Sequence, residues 1–169
     1  MKRVIRIVCC AAMAGAAALA PLRLSAQSDD DKTFLAFALQ ADQNMIALSA
    51  VAAQKASNAQ VKTYAQQIVS EHGDMTATIA PFAPEWGVTP PKGPDAAHQQ
   101  EIATLNGLSG AAFDRQYMAY MADDHTTALK RFTSEARFCK DVPFRDAVNT
   151  GKDRETAHKS AAETIQKKL

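Results

Sequence analysis

Only three cysteines occur in 169 residues, and two of them, Cys9 and Cys10, fall at the very start. That leaves Cys139 alone in the body of the chain, too few for a disulfide framework; it is either a free thiol or a link between two chains, a disulfide-linked dimer. Glycine is sparse, and no Gly-rich loop of the kind that cradles phosphate is present. Neither sign of charge dominates, with 19 basic and 18 acidic residues. The charges mix along every segment and read as solvated faces, which excludes a nucleic-acid-binding patch. Strand-like alternation bounded by turn residues appears nowhere, which excludes sandwiches, barrels and membrane strands.

The amino terminus has a different character. Lys2, Arg3 and Arg6 precede an Ala-rich apolar run that ends in Leu24-Ser25-Ala26. Its apolar part is interrupted by Arg6 and Pro21 and is short for a bilayer span, so residues 1–26 read as a secretory signal peptide cut after Ala26. Residues 27–169 then form the mature domain, periplasmic and without a transmembrane segment. Removing Lys2, Arg3, Arg6 and Arg23, with no acid in that stretch, changes the balance of 19 to 18 into 15 basic against 18 acidic. About 140 residues remain, enough for one domain with its own core.

What is present is helical periodicity. Four long segments carry apolar residues at steps of three and four, predicting an all-α four-helix bundle. The first runs from about Thr33 to Lys55 and the second opens on a Ser57–Gln60 capping box and ends at Pro81 and Pro84. The third, capped by Ser109, continues to about Cys139, and Asp141-Val142-Pro143 starts the fourth. Between the second and third lies a Gly/Pro-rich stretch with a short helix near Asp95 to Leu105. Such a connection is long enough to cross the bundle, as in ferritin-like folds.

Three of the four histidines, His72, His125 and His158, sit on the apolar stripes of three different helices. Counting residues from the turns at about 1.5 Å each places all three at one level, facing Asp42, the only carboxylate at that height on the first helix. Glu155 and His158 form Glu-x-x-His on one helix face. His72, His125, Glu155 and His158 are therefore the candidate metal ligands, with zinc, iron and copper all admissible. Glu71, Asp124 and Asp42 are candidates to orient the rings from outside. Taken alone, Glu155 reads as a partly exposed residue in a salt bridge to the neighbours of Arg154 or to Lys159. Met121, one turn before His125, keeps Cu(I) open, while the remaining methionines read as core filler. Gly73 and Gly151, costly inside helices, suggest space for a ligand or water. Tyr117 and Tyr120 read as packing residues with wetted hydroxyls, Trp86 as a cover on the bundle end, and His98 as a surface residue. No catalytic pairing of Ser, Cys and His is present. The alternative function is a non-enzymatic envelope or stress-related interaction module with its histidines satisfied in the core.

Several local patterns also resemble a family. Ala53-Gln54-Lys55-Ala56-Ser57-Asn58 before Val61-Lys62, Glu71-His72, Ser109-Gly110-Ala111-Ala112-Phe113-Asp114 with Tyr117-Met118, Asp124-His125 and His158 are similar to the exported, ferritin-like bundles of the domain-of-unknown-function 4142 family, often labelled predicted outer membrane proteins. The resemblance covers nearly all the mature part. It implies a ferritin-like fold and leaves the activity open. Met45 stands where the family usually has glutamate, and Lys152-Asp153 where it usually has Leu-Pro. A ferritin-type di-iron centre needs two Glu-x-x-His motifs and two further glutamates; with one such motif, this chain does not supply that chemistry.

Overall fold

The computed structural model describes residues 28–169; the signal-peptide reading falls on residues outside that range. Six helices make up the domain: α1 (Asp29–Lys55), α2 (Ala59–Ile79), α3 (Phe82–Trp86), α4 (Ala96–Asn106), α5 (Gly110–Phe138) and α6 (Val142–Gln166). No strand occurs among the described residues. The four long helices form the expected bundle, as two antiparallel hairpins, α1–α2 and α5–α6, joined by the connection that carries α3 and α4. That connection traverses the bundle from end to end. At its start Phe82 lies 5.1 Å from the Phe144 ring, and at its finish Lys55 Nζ donates to the Leu105 and Asn106 carbonyls.

Local chemistry sets the helix ends. α1 begins earlier than periodicity alone indicates because Ser28 and Asp31 form a reciprocal capping box. The expected box at the head of α2 does not form: Asn58 is the cap, accepting from the Gln60 and Val61 amides. Ser57 instead joins the Ser57 and Asn58 backbone N–H groups in donating to the buried Asp114 carboxylate of α5. Four residues along from Phe113, Tyr117 is buried with its hydroxyl against Ser49, 2.8 Å away, and is not wetted. The Phe-Asp-x-x-Tyr pattern is thus a clamp between hairpins: one residue packs, one caps a neighbouring helix, one bonds across the core.

Two apolar clusters fill the bundle. One, with Phe34, Leu35, Trp86, Phe132 and Phe144, lies toward the α5–α6 turn; the other, with Leu48, Val61, Ile68, Phe113 and Met118, lies toward the α1–α2 turn. Between them is a buried polar layer of Asp42, His72, His125, Glu155 and His158. Each position in that layer forgoes the roughly 1.5–3 kcal/mol that a buried Leu or Phe would contribute, so the layer needs its own compensation.

α1 is long and apolar enough to cross a membrane by length and composition. Half of that apolar window is buried in the bundle, and its polar Asp42, Asn44 and Ser49 all find partners on other elements.

Gly151 is required by packing, and it also borders a water-sized cavity of about 30 Å³ with Asp42, Phe132 and Arg154. A Cβ built there would lie 2.5 Å from the Phe132 ring, which is wedged against Phe34 at 4.9 Å, so glycine lets α5 and α6 approach. Gly73, by contrast, has nothing within 4 Å of such a Cβ. Gly151→Ala is therefore expected to destabilise the domain by about 1–3 kcal/mol through overpacking, whereas Gly73→Ala should stabilise it by up to about 1 kcal/mol. Urea unfolding of the pair measures both signs; equal effects would mean that the Phe132 contact is not tight.

Candidate metal centre

α2, α5 and α6 each contribute one imidazole to the mid-bundle layer. Ring centroids lie 5.6 Å apart for His72 and His125, 5.2 Å for His72 and His158, and 5.2 Å for His125 and His158. One ligand atom from each ring lies within 4.8 Å of the others, and all three residues are buried. Counting residues from the turns had placed these rings at one height, and the structure brings them together there.

Each ring has one nitrogen fixed from outside. His72 Nδ1 pairs with Asp42 Oδ1 of α1 at 2.8 Å, and Thr76 Oγ1 donates to the other carboxylate oxygen at 3.0 Å. His125 Nδ1 lies 2.7 Å from the Met121 carbonyl, which can only accept, so this nitrogen carries the proton. His158 Nε2 is 2.6 Å from Glu71 Oε2, and Glu71 is held in turn by Gln67. With those nitrogens as donors, His72 Nε2, His125 Nε2 and His158 Nδ1 present lone pairs inward. They are the ring atoms that are buried and have no hydrogen-bond partner.

Glu155 joins them. Its carboxylate is buried, contrary to the half-exposed pairing with Lys159, which instead bonds Glu163. Glu155 Oε2 also lacks a partner and lies 4.0 Å from His125 Nε2. Burial raises its pKa to about 7, with the nearby Asp42 and Asp124 charges adding to the rise and His72 opposing it. His125 is pushed the other way, down to about 3, by burial and then by the neighbouring His72 and His158 rings. His158 is also lowered, burial outweighing its bond to Glu71. His125 and His158 are thus favoured as neutral imidazoles, the form that ligates metal.

Four inward-facing acceptor atoms cost about 1–3 kcal/mol each if left unpaired. One enclosed water has only two hydrogens to offer the three ring nitrogens, whereas a cation can meet all three; Glu155 lies outside that close trio and flanks it on the His125 side. Three imidazole nitrogens with one carboxylate are a borderline set suited to zinc, iron or copper. Met121 Sδ is engaged by Ser49 Oγ at 3.9 Å, and the close trio of ligand atoms consists of three imidazoles.

Of the three orienting candidates, Asp42 and Glu71 touch ring nitrogens and Asp124 does not. Residues next to inward positions sit about 100° around the helix. On α2 that side faces α6, so Glu71 reaches His158 and not its own neighbour His72. On α5 it faces α4, so Asp124 meets His98 Nε2 at 3.7 Å. His98 is not an isolated surface residue: Asp95 Oδ1 holds its Nδ1 at 2.8 Å, and with Glu101 and Asp124 it forms a second group of closely spaced ligand atoms. Burial alone would lower the His98 pKa, but hydrogen bonds and attraction from Asp124 and Asp95 outweigh it and raise it to about 9. The Asx-type cap at Asp95 was legible as a helix start, but its link to α5 was not.

A third trio, Asp31, Glu135 and Cys139, lies near the α5–α6 turn. Burial, reinforced by Asp31, pushes the Cys139 thiol up to about 12, so it is held as a thiol and not as a metal-binding thiolate. Cys139 is buried, and a disulfide to another chain would require this end of the bundle to open.

The solved fragment of a DUF305 protein from Deinococcus radiodurans is similar in fold, with a TM-score of 0.72, at 16% identity over 85% of this chain and 99% of that one. No curated protein matches the chain. At that identity the likeness concerns the helical architecture alone. The family itself is settled by sequence: the model described as "Domain of unknown function (DUF4142)" matches residues 16–165, and the chain belongs to that family.

Proposed function

We propose that the domain is an exported, non-enzymatic bundle that holds one divalent transition-metal ion through His72, His125, His158 and Glu155. The observation that carries this reading is the coincidence of four buried acceptor atoms without partners, one from each of these residues, in a single layer. Asp42, Glu71 and the Met121 carbonyl supply the outer hydrogen bonds that metal-bound imidazoles ordinarily have. With their ligand atoms already within 4.8 Å of one another, the three rings can close on an ion at about 2.0–2.1 Å by rotation about their side-chain torsions. With four protein donors the centre resembles structural or carrier sites more than catalytic ones, which reserve a coordination position for substrate. The positively charged amino-terminal run supports export, and the periplasm is the compartment proposed.

Titration of chelator-treated protein with Co(II) tests this. The expected result is one tight equivalent with visible d–d absorption of a nitrogen-rich, low-coordinate site, abolished in His125→Ala. Featureless weak uptake identical in wild type and variant would leave the interaction-module reading, in which the polar layer specifies helix register.

A further inference from the structure

A cavity of about 140 Å³ opens between α1, α4, α5 and α6. Met45 and Ala128 form part of its apolar wall, His98 and Asp124 border it, and Glu155 lies on it. Glu155 therefore belongs to two places at once, the inner cage and the lining of this cavity. Its Oε2, in a residue only 1% exposed, has no partner.

His98, Glu101 and Asp124 bring their ligand atoms within 4.8 Å of one another beside the same cavity. Glu101 Oε2 and Asp124 Oδ2 are buried atoms without hydrogen-bond partners. The Asp95–His98 pair repeats the carboxylate–imidazole arrangement of Asp42–His72: Asp95 fixes Nδ1, is itself held by Asn44 Nδ2 at 2.9 Å, and leaves Nε2 directed toward Asp124. No lysine or arginine lines the cavity, and its unpartnered polar atoms are all carboxylate oxygens. The side-chain N–H donors on its wall are committed to protein acceptors: Gln40 Nε2 to Asn44 and Gly93, Asn44 Nδ2 to Asp95, and His98 Nδ1 to Asp95. A cation finds Asp95, Asp124 and Glu155 on the wall, with Glu101 beside Asp124.

We propose that His98, Glu101 and Asp124 form an outer site for a divalent transition-metal ion, and that the cavity is the path by which the ion passes to Glu155 and the inner histidines. The path rests on the metal reading of the inner cage; the outer site does not. With three partly buried donors, one of them an imidazole whose Nε2 proton the ion must displace, against the buried donors of the cage, the outer site is the weaker of the two and so can release what it captures. Met45 suits such a passage, since a thioether wall lets a borderline ion by without anchoring it as a carboxylate would.

The test uses the full mature chain, Co(II) as the probe, and four forms: wild type, Asp124→Asn, His125→Ala and the double variant. Wild type should bind a second, weaker equivalent that Asp124→Asn loses. His125→Ala should keep that weak equivalent, and the double variant should bind none. In stopped flow, the inner-site absorption should grow about tenfold more slowly in Asp124→Asn while its equilibrium affinity stays within about threefold of wild type. Met45→Phe, which narrows the cavity without touching either ligand set, should slow loading and leave both stoichiometries unchanged. Absence of an Asp124-dependent equivalent in His125→Ala overturns the outer site. Inner-site loading at the wild-type rate in both Asp124→Asn and Met45→Phe overturns the path. An Asp124-dependent equivalent in a protein whose inner cage takes no ion refutes the proposed function and the path together, and leaves the outer site standing.

Discussion

Zinc supplied at a free concentration a thousand times its Kd should raise the melting temperature of the metal-free domain by about 8–16 °C. The figure follows from binding to the folded form only, worth about 4.1 kcal/mol at that excess. A domain slightly larger than this one gains about 2–4 °C per kcal/mol. The gain arises because the unfolded chain scatters its donors along three distant stretches of sequence, whereas the folded chain holds His72, His125 and His158 with their ring centroids within 5.6 Å. His125→Ala should abolish the zinc-dependent increment, whatever its own effect on the metal-free melting temperature. Asp42→Asn separates a metal site from a merely polar core: the amide can still accept from His72 Nδ1, but losing the carboxylate should weaken zinc about 10–100-fold. If differential scanning calorimetry finds wild-type Tm unmoved by zinc or by chelator, the four converging acceptors do not form a metal site.

Parts of this centre could be read before any coordinates. The long periodic segments gave the helices, and counting from the two tight turns put the histidines at one height. Glu155 followed from its three-residue spacing to His158, and Asp42 from being the only carboxylate at the matching height of the first helix. What could not be read was which neighbour occupies each helix flank. Glu71 and Asp124 occupy the same local position, immediately before an inward histidine, yet one reaches His158 and the other His98. That outcome depends on where α4 crosses the bundle, a tertiary choice without local signature. Gly151 was likewise opaque, because its reason is the Phe132 ring of another helix. Ser57 was assigned to the start of its own helix, whereas the buried Asp114 of α5 offered a better partner.

Acid should unfold the metal-free protein more steeply than an ordinary surface would predict, and the buried imidazoles and carboxylates pull in opposite directions. His125, facing His72 on α2, Glu155 and His158 on α6 and Asp42 on α1, has its pKa lowered to about 3 in the folded state against an ordinary 6.5. Below pH 6.5 the unfolded chain takes up a proton that the folded cage refuses, so this contribution to stability is lost progressively toward pH 3. At about 1.36 kcal/mol per pKa unit, the loss is on the order of 3–5 kcal/mol at the acid end. His158 adds to it in the same sense, and so does Glu71, whose pKa is lowered because bonds from His158 and Gln67 outweigh its burial. Glu155 has the reverse sign, and burial raises Asp42 and Glu135 in the same sense: with Glu155 and Glu135 raised to about 7, these groups favour the folded state below the ordinary carboxylate range, and that contribution is lost as pH rises through 7. The metal-free domain should therefore be most stable between about pH 5 and 6.5, losing stability on both sides. A bound divalent ion reverses the alkaline limb, since it stabilises ionised Glu155 and needs neutral rings; the optimum of the loaded protein should move above pH 7. Chemical denaturation across pH 4–8, with and without zinc, reads both curves. Coincident optima would mean that Glu155 and the histidines are not sharing one cation, whereas a separation of a pH unit or more ties the carboxylate and the rings to the same ion.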